Sequence, residues 1–491
     1  MLKPRPRKEY VHSKSSSFLA VIWKAHNVTL PSMRLWFGLI IGSALLLASC
    51  SPPEEILPGQ RFDPRDIAEA SEAFDPEEAL PTEPLPQPPT TIAARGYVVT
   101  GEPARLSLPA ARTNSDWTHI GGSATHQIRH PSLGATLTQV WTAQIGQAAS
   151  RRVRPSADPV VSGGRVFTLS AFSEVQATSV SGAVLWSRDL TPSGERPGEA
   201  AGGGLSIQGN RLYVTTGYGR LHVLDATSGA EVWTQILDAV PNSAATVADK
   251  LVYVTTRGGE ALALDTDTGR ILWRLSAGDA TSFTADGASP AVSGRTVLLP
   301  FGSGDVIAAL RLGGMRLWST VVTGERVGRA YARITDITGD PVIDGDTAYI
   351  GTPTGRLAAI DMATGERLWT ANEGAANVVW PAGGSLFMIT DQRDLARLSA
   401  SDGSTIWSGT LPLYVTEKVR RRRGVFAHYG PVLAGGRLIV VSSDGFLREF
   451  NPTSGALLRN TDLGSPAVAN PVVAGGTLFV VTENGILHAF R

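Results

Sequence analysis

The chain holds a single cysteine, Cys50, among its 491 residues. One cysteine excludes an intrachain disulfide, a vicinal cysteine pair and any multi-cysteine zinc site. Charge of one sign is missing too: 44 Lys plus Arg face 44 Asp plus Glu. A dedicated nucleic-acid binder carries a clear basic excess, so that class is excluded and no nucleic-acid partner is expected. No Gly-x-Ser-x-Gly elbow, P-loop or His-Glu-x-x-His occurs, and the many glycines read as turn residues. His119, His126 and His130 lie close together, but their spacing matches no ligand pattern and no carboxylate or cysteine joins them, so no metal is expected. What remains is apolar: hydrophobic residues make up 42% and charged residues 18%, enough to build a large core.

The cysteine has an address. Leu35 to Leu47 is an apolar run preceded by Arg34. As a helix it rises about 20 Å, short of a hydrocarbon core of about 30 Å but suited to a signal-peptide h-region. Leu47-Ala48-Ser49-Cys50 follows at once and resembles the lipobox of bacterial lipoproteins, which implies cleavage before Cys50 and acylation of its new N-terminus. Ser51 in the next position is compatible with transfer to the outer membrane. Residues 1–49 are therefore a leader and signal peptide, with Met33 the favoured start over Met1. From Ser51 to Thr90 the sequence places ten prolines, ten acidic residues and two arginines, a net charge of 2 − 10 = −8. Such composition cannot offset its ordering entropy with a core, so residues 50–112 are expected to be a disordered tether behind the lipid anchor.

The rest repeats. Arg211-Leu-Tyr-Val-Thr-Thr, then Arg220-Leu-His-Val-Leu-Asp225, then Gly229-Ala-Glu-Val-Trp233 recurs as Leu251-Val-Tyr-Val-Thr-Thr, Glu260-Ala-Leu-Ala-Leu-Asp265, Gly269-Arg-Ile-Leu-Trp273. It returns around Asp361, Gly365 and Trp369. Period-two alternation bounded by Gly and Asp turns predicts short antiparallel strands. The Gly-x-x-x-Trp ending places Trp186, Trp233, Trp273, Trp318, Trp369 and Trp407 at one position of the repeat. A seventh unit keeps Gly455 but carries Arg459, and the last unit stops at Arg491 without such a strand. Trp141 supplies an orphan strand upstream. Closure by that N-terminal strand gives eight four-stranded blades over residues 113–491, all-β, about 47 residues each. In this reading the seven tryptophans, Trp141 included, dock neighbouring blades.

The Asp-x-x-Thr-Gly-x-x-x-Trp repeat resembles the PQQ-type propeller repeat, shared by quinoprotein dehydrogenases and by the outer-membrane assembly factor family BamB. The dehydrogenase branch implies a quinone held against a vicinal disulfide with Ca²⁺, which one cysteine cannot supply. The lipobox, acidic tether and short-looped ring are similar to the BamB branch. That resemblance implies a non-catalytic scaffold of β-barrel assembly without cofactor, lipid-anchored in the outer membrane and facing the periplasm. Its implied partners are BamA, through a periplasmic POTRA domain, other Bam subunits and unfolded β-barrel substrates. Ala332-Arg333-Ile334-Thr335-Asp336-Ile337-Thr338-Gly339-Asp340-Pro341-Val342 resembles the family's BamA-binding Arg-Leu-Ser-Asp-Val-Asp-x-x-Pro-Val segment. Arg333 and Asp336 match, while Thr338 replaces the second acid. The stretch Thr281 to Gly287 lacks the Leu- and Arg-rich pattern of the family's second binding loop and offers Phe283 as its apolar anchor. A quinoprotein-like dehydrogenase and a generic envelope binding module stay open as alternatives. Arg420-Arg421-Arg422-Arg423, after Lys418, is the densest charge run; it reads as a solvated loop, or as a contact for an acidic partner or lipid phosphates. Arg151-Arg152-Val153-Arg154 is a weaker run of the same kind.

Overall fold

A computed structural model describes residues 97–148, 157–200, 202–278, 287–324, 326, 334–375, 377–416 and 418–491. The leader, Cys50, the acidic stretch and Arg151–Arg154 lie outside the described residues. The described residues, from Tyr97 onward, belong to one compact unit.

That unit is an eight-bladed propeller. Each blade is a four-stranded antiparallel sheet, with strands A to D running from the centre outward. Blade 2 shows the pattern: Gly203–Gln208, Arg211–Thr216, Arg220–Asp225 and Glu231–Ile236. Its strands B and C are almost wholly buried, whereas strand D is largely exposed. The alternation of Leu212, Val214, Leu221 and Val223 therefore fills the sheet-to-sheet layers on both faces. Closure follows the sequence reading. Gln139–Gln144 pairs antiparallel with Ile486–Phe490, Trp141 opposite Ala489, and makes strand D of the last blade. A closed ring leaves no open end to template aggregation.

The C-to-D turns are built by their aspartates. Asp225 Oδ1 accepts from the backbone N–H of Thr227 and Ser228 at 3.1 and 2.8 Å and from Ser228 Oγ at 2.8 Å. Asp265 and Asp361 repeat the geometry. The hydroxyl and backbone donors favour the ionised form and hold these exposed carboxyls below the usual carboxylate range. Gly229 closes the turn at φ +71°, where a side chain is strained.

Residues 97–112, grouped above with the tether, belong to the folded ring. Val99–Gly101 adds a fifth strand to blade 6, antiparallel on Thr405–Thr410. Tyr97 packs on Phe450, ring centroids 4.8 Å apart. Arg397, 1% exposed, donates to the carbonyls of Ala104 and Arg105 at 2.8 and 3.0 Å. A buried guanidinium demands acceptors, and this segment supplies them.

Candidate functional site

The propeller has two faces. One carries the tight A-to-B and C-to-D turns. The other carries the B-to-C turns and the longer interblade connections, with the described parts of the blade 3–4, 4–5 and 6–7 connections among them. Between the faces runs the axis, the usual place for a ligand in such a ring.

Here the chain fills its own axis. Asn114 to Pro131, irregular in backbone, touches every blade. Trp117 exchanges backbone hydrogen bonds with Val161 of blade 1 at 2.7 and 2.8 Å. The carbonyls of Thr118, Ala124 and Thr125 accept from Ile207, Val292 and Ile343, in blades 2, 4 and 5. Pro131 and Asn114 accept from Gly435 and Gly475, in blades 7 and 8. Trp117 stacks on Trp380 of blade 6 at 6.1 Å.

The three histidines are spokes of this plug. His119 Nε2 lies 2.9 Å from the Val247 carbonyl of blade 3, and His126 Nδ1 lies 2.9 Å from the Pro341 carbonyl beside blade 5. His130 Nε2 accepts from Gly436 N at 2.7 Å, in blade 7. Burial pushes His119 down to about 4 and His126 to about 3, so both rings are neutral at physiological pH. Among the described residues no group of three His, Cys, Asp or Glu is placed to hold a metal ion.

At the axial mouth Trp117, Trp380, Pro431, Val432, Asp158 and Asn470 line a cavity of about 20 Å³. That admits about one water molecule. The carboxylate of Asp158 accepts from Asn470 N and Nδ2, both at 2.8 Å, and Asn470 Oδ1 accepts from Gly430 N. These polar groups therefore tie blades 7, 8 and 1 together. A tricyclic quinone with its Ca²⁺ does not fit these residues.

The interblade-loop face is different. Ala288 N donates to Ile337 O at 3.1 Å, and Ser289 N donates to Asp340 Oδ1 at 2.7 Å. These bonds bring the blade 3–4 and blade 4–5 connections side by side, joining the two loops singled out in the sequence. Phe283 and Arg333 lie outside the described residues. Asp336 is 3% exposed, so its carboxylate is buried in the loop rather than offered to a partner. Ile337 is buried beside it, while Ile334 and Thr338 are part-exposed. Thr335 Oγ1 donates to Gly302 O at 2.8 Å and pins the loop to blade 4. Burial pushes Asp340 up to about 7.

Arg326 is a residue the sequence reading passed over. Its guanidinium meets the buried Asp391 carboxylate with two hydrogen bonds of 2.7 Å, tying the blade 4–5 connection to the B-to-C turn of blade 6. Bidentate pairing fixes orientation as well as position. An isolated arginine 65 residues from its partner carries no local signal.

Arg420 to Arg423 and Lys418 stand exposed on the blade 6–7 connection of the same face. The tryptophans sit elsewhere, on the outer strands, each against the next blade. Trp186 Nε1 donates to Ala226 O at 3.2 Å, Trp233 to Thr266 O at 3.0 Å and Trp273 to Arg311 O at 2.9 Å. Trp141, Trp318, Trp369 and Trp407 make the equivalent bonds to Val180, Met362, Ala400 and Pro452.

Comparison with known proteins separates the readings that the ring alone leaves open. A family model described as outer membrane protein assembly factor BamB matches residues 171–409 and 416–491, well over half of the chain. The chain belongs to the BamB family. It is 24% identical over 313 residues to the assembly factor BamB of Moranella endobia, covering 62% of this chain and 78% of that protein. Among solved structures, BamB from Moraxella catarrhalis matches with a TM-score of 0.59 at 20% identity, over 72% of this chain and all of that one. A europium-containing methanol dehydrogenase matches with a TM-score of 0.56 at 13% identity, over 75% of this chain and 89% of that one. Likeness of shape is thus shared by scaffold and enzyme, and shows the fold alone.

Proposed function

We propose that this BamB-family chain is a non-catalytic scaffold of the outer-membrane β-barrel assembly machinery. The observation that supports it is the pairing of a BamB family match with an axis plugged by residues 114–131. A ring whose ligand position is occupied by its own chain works through its surface. In this reading a lipidated Cys50 holds the protein at the outer membrane facing the periplasm, and residues 51–96 are the tether.

The surface is the interblade-loop face. Arg333, Thr338 and Phe283 make the contact with a POTRA domain of BamA, while the buried Asp336 sets the loop's shape. Rigid display suits such a role, because loops fixed on a ring lose little entropy on binding. Arg326 and Asp391 tie one point of the blade 4–5 connection to blade 6.

The test is binding of the purified protein to the isolated POTRA region of BamA. Saturable binding that is lost in Thr338→Arg supports the reading. Gain of quinone absorbance and dye-linked alcohol oxidation on refolding with PQQ and Ca²⁺ overturns it.

A further inference from the structure

We propose that the blade 6–7 connection is a docking element for anionic lipid headgroups. Residues 411–416 and 418–427 leave the ring as the two arms of a small hairpin. Tyr414 pairs with Val425, Val415 N donates to Gly424 O at 3.1 Å, and Phe426 N donates to Leu413 O at 2.9 Å. Arg422 lies over the Tyr414 ring, 4.6 Å from its centroid, and stiffens the stem. His428, buried at the hairpin's base, lies 2.9 Å from the Pro412 carbonyl and 2.7 Å from Ser442 Oγ.

The tip combines two properties. Lys418, Arg420, Arg421 and Arg423 are exposed, and Val419 among them is 74% exposed. Val415 and Val425, at the hairpin's neck, are 53% and 48% exposed. The hairpin thus presents apolar and basic side chains together. Exposed cations with Val419 among them match a phosphate-bearing lipid surface, where each basic group near an anionic leaflet contributes favourably.

Position points the same way. Thr410 N donates to Val98 O at 3.2 Å, so the chain upstream of Tyr97 joins the ring at the base of this hairpin.

The experiment is vesicle flotation of the full chain with phosphatidylcholine alone and with phosphatidylcholine doped with phosphatidylglycerol. Reading the ratio between the two cancels apolar contributions from the leader. The wild type is expected to favour the anionic vesicles at least tenfold at low salt, and to lose the preference at high salt. The triple reversal R420E/R421E/R423E is expected to abolish it, and Val419→Ser to weaken absolute binding to the anionic vesicles several-fold while leaving the ratio in place. All these side chains are exposed, so unchanged melting temperatures are the control for folding. Equal binding to both vesicles, or a preference that survives the triple reversal, overturns the proposal. Absolute binding to the anionic vesicles that Val419→Ser leaves untouched overturns the seating at a membrane and assigns the arginines to an acidic protein surface.

Discussion

The indole of Trp186 lies flat against Gly229 of the next blade: a Cβ on that glycine would fall 2.6 Å from the ring. The relation recurs around the ring, from Trp141 on Gly182 to Trp407 on Gly455, at 2.5 to 2.9 Å. The Gly-x-x-x-Trp motif thus joins two functions. Its glycine receives the preceding blade's indole, and its tryptophan is passed to the following one. Each indole thereby adds an aromatic contact to the aliphatic layer that already joins its blade to the next.

Gly229→Ala is expected to destabilise the ring by ~2–4 kcal/mol, since the methyl has no room and φ is +71°. Gly209, at φ +59° with nothing within 4 Å of a Cβ, is the control. Gly209→Ala carries only the backbone strain, about 1 kcal/mol. Thermal unfolding of the two variants checks the difference; equal losses contradict the docking account.

Arg326→Ala leaves the Asp391 carboxylate, 1% exposed, without its bidentate cation. The expected cost is ~3 kcal/mol, because an unpaired buried charge is more costly than a missing pair. Arg326→Met combined with Asp391→Leu is expected to recover part of it in denaturant titration. A larger loss in the double variant counts against the pairing.

The plug makes stability depend on pH. His119 and His126 are lowered from 6.5 to about 4 and about 3, so the unfolded chain binds their protons first as pH falls. Their contribution is complete above pH 6.5 and declines toward those values, by ~2 kcal/mol per histidine at pH 5. Asp340, raised from 3.8 to about 7, has the opposite sense: its contribution is complete below 3.8 and is lost as pH rises through 7. The informative quantity is therefore a difference between variants. His126→Asn, which tolerates the local φ of 58°, is expected to show a smaller fall in melting temperature between pH 7.5 and 5 than the wild type.

Arg397→Met removes the donor that holds Ala104 and Arg105. Proteolysis upstream of Thr113 is then expected well below the melting temperature of the ring, whereas the wild type resists it. Mass spectrometry of the first cleavage product decides.

The repeat and its closure were legible because a blade is specified locally. Alternating apolar residues, the Asp-Gly turn and the terminal tryptophan all lie within one unit, and Trp141 betrayed its partner by having none nearby. The plug was not legible. Its contacts go to eight different blades, six of them through backbone bonds, so no period marks it, and its histidines stood out only as a cluster. The folded stretch from Tyr97 to Arg112 read as tether because prolines and short apolar residues give no alternation. The burial of Asp336 was hidden for a different reason: sequence shows a charge but not the depth at which it lies.

The central claim is that the interblade-loop face, around the blade 4–5 connection, meets the assembly machinery. Site-specific photo-crosslinking in cells from positions 334 and 338, with position 228 on the opposite face as control, tests it most directly. The account predicts capture of the POTRA-bearing subunit BamA from 334 or 338 and none from 228. Capture from 228 alone, or from no position on the loop face, would contradict it.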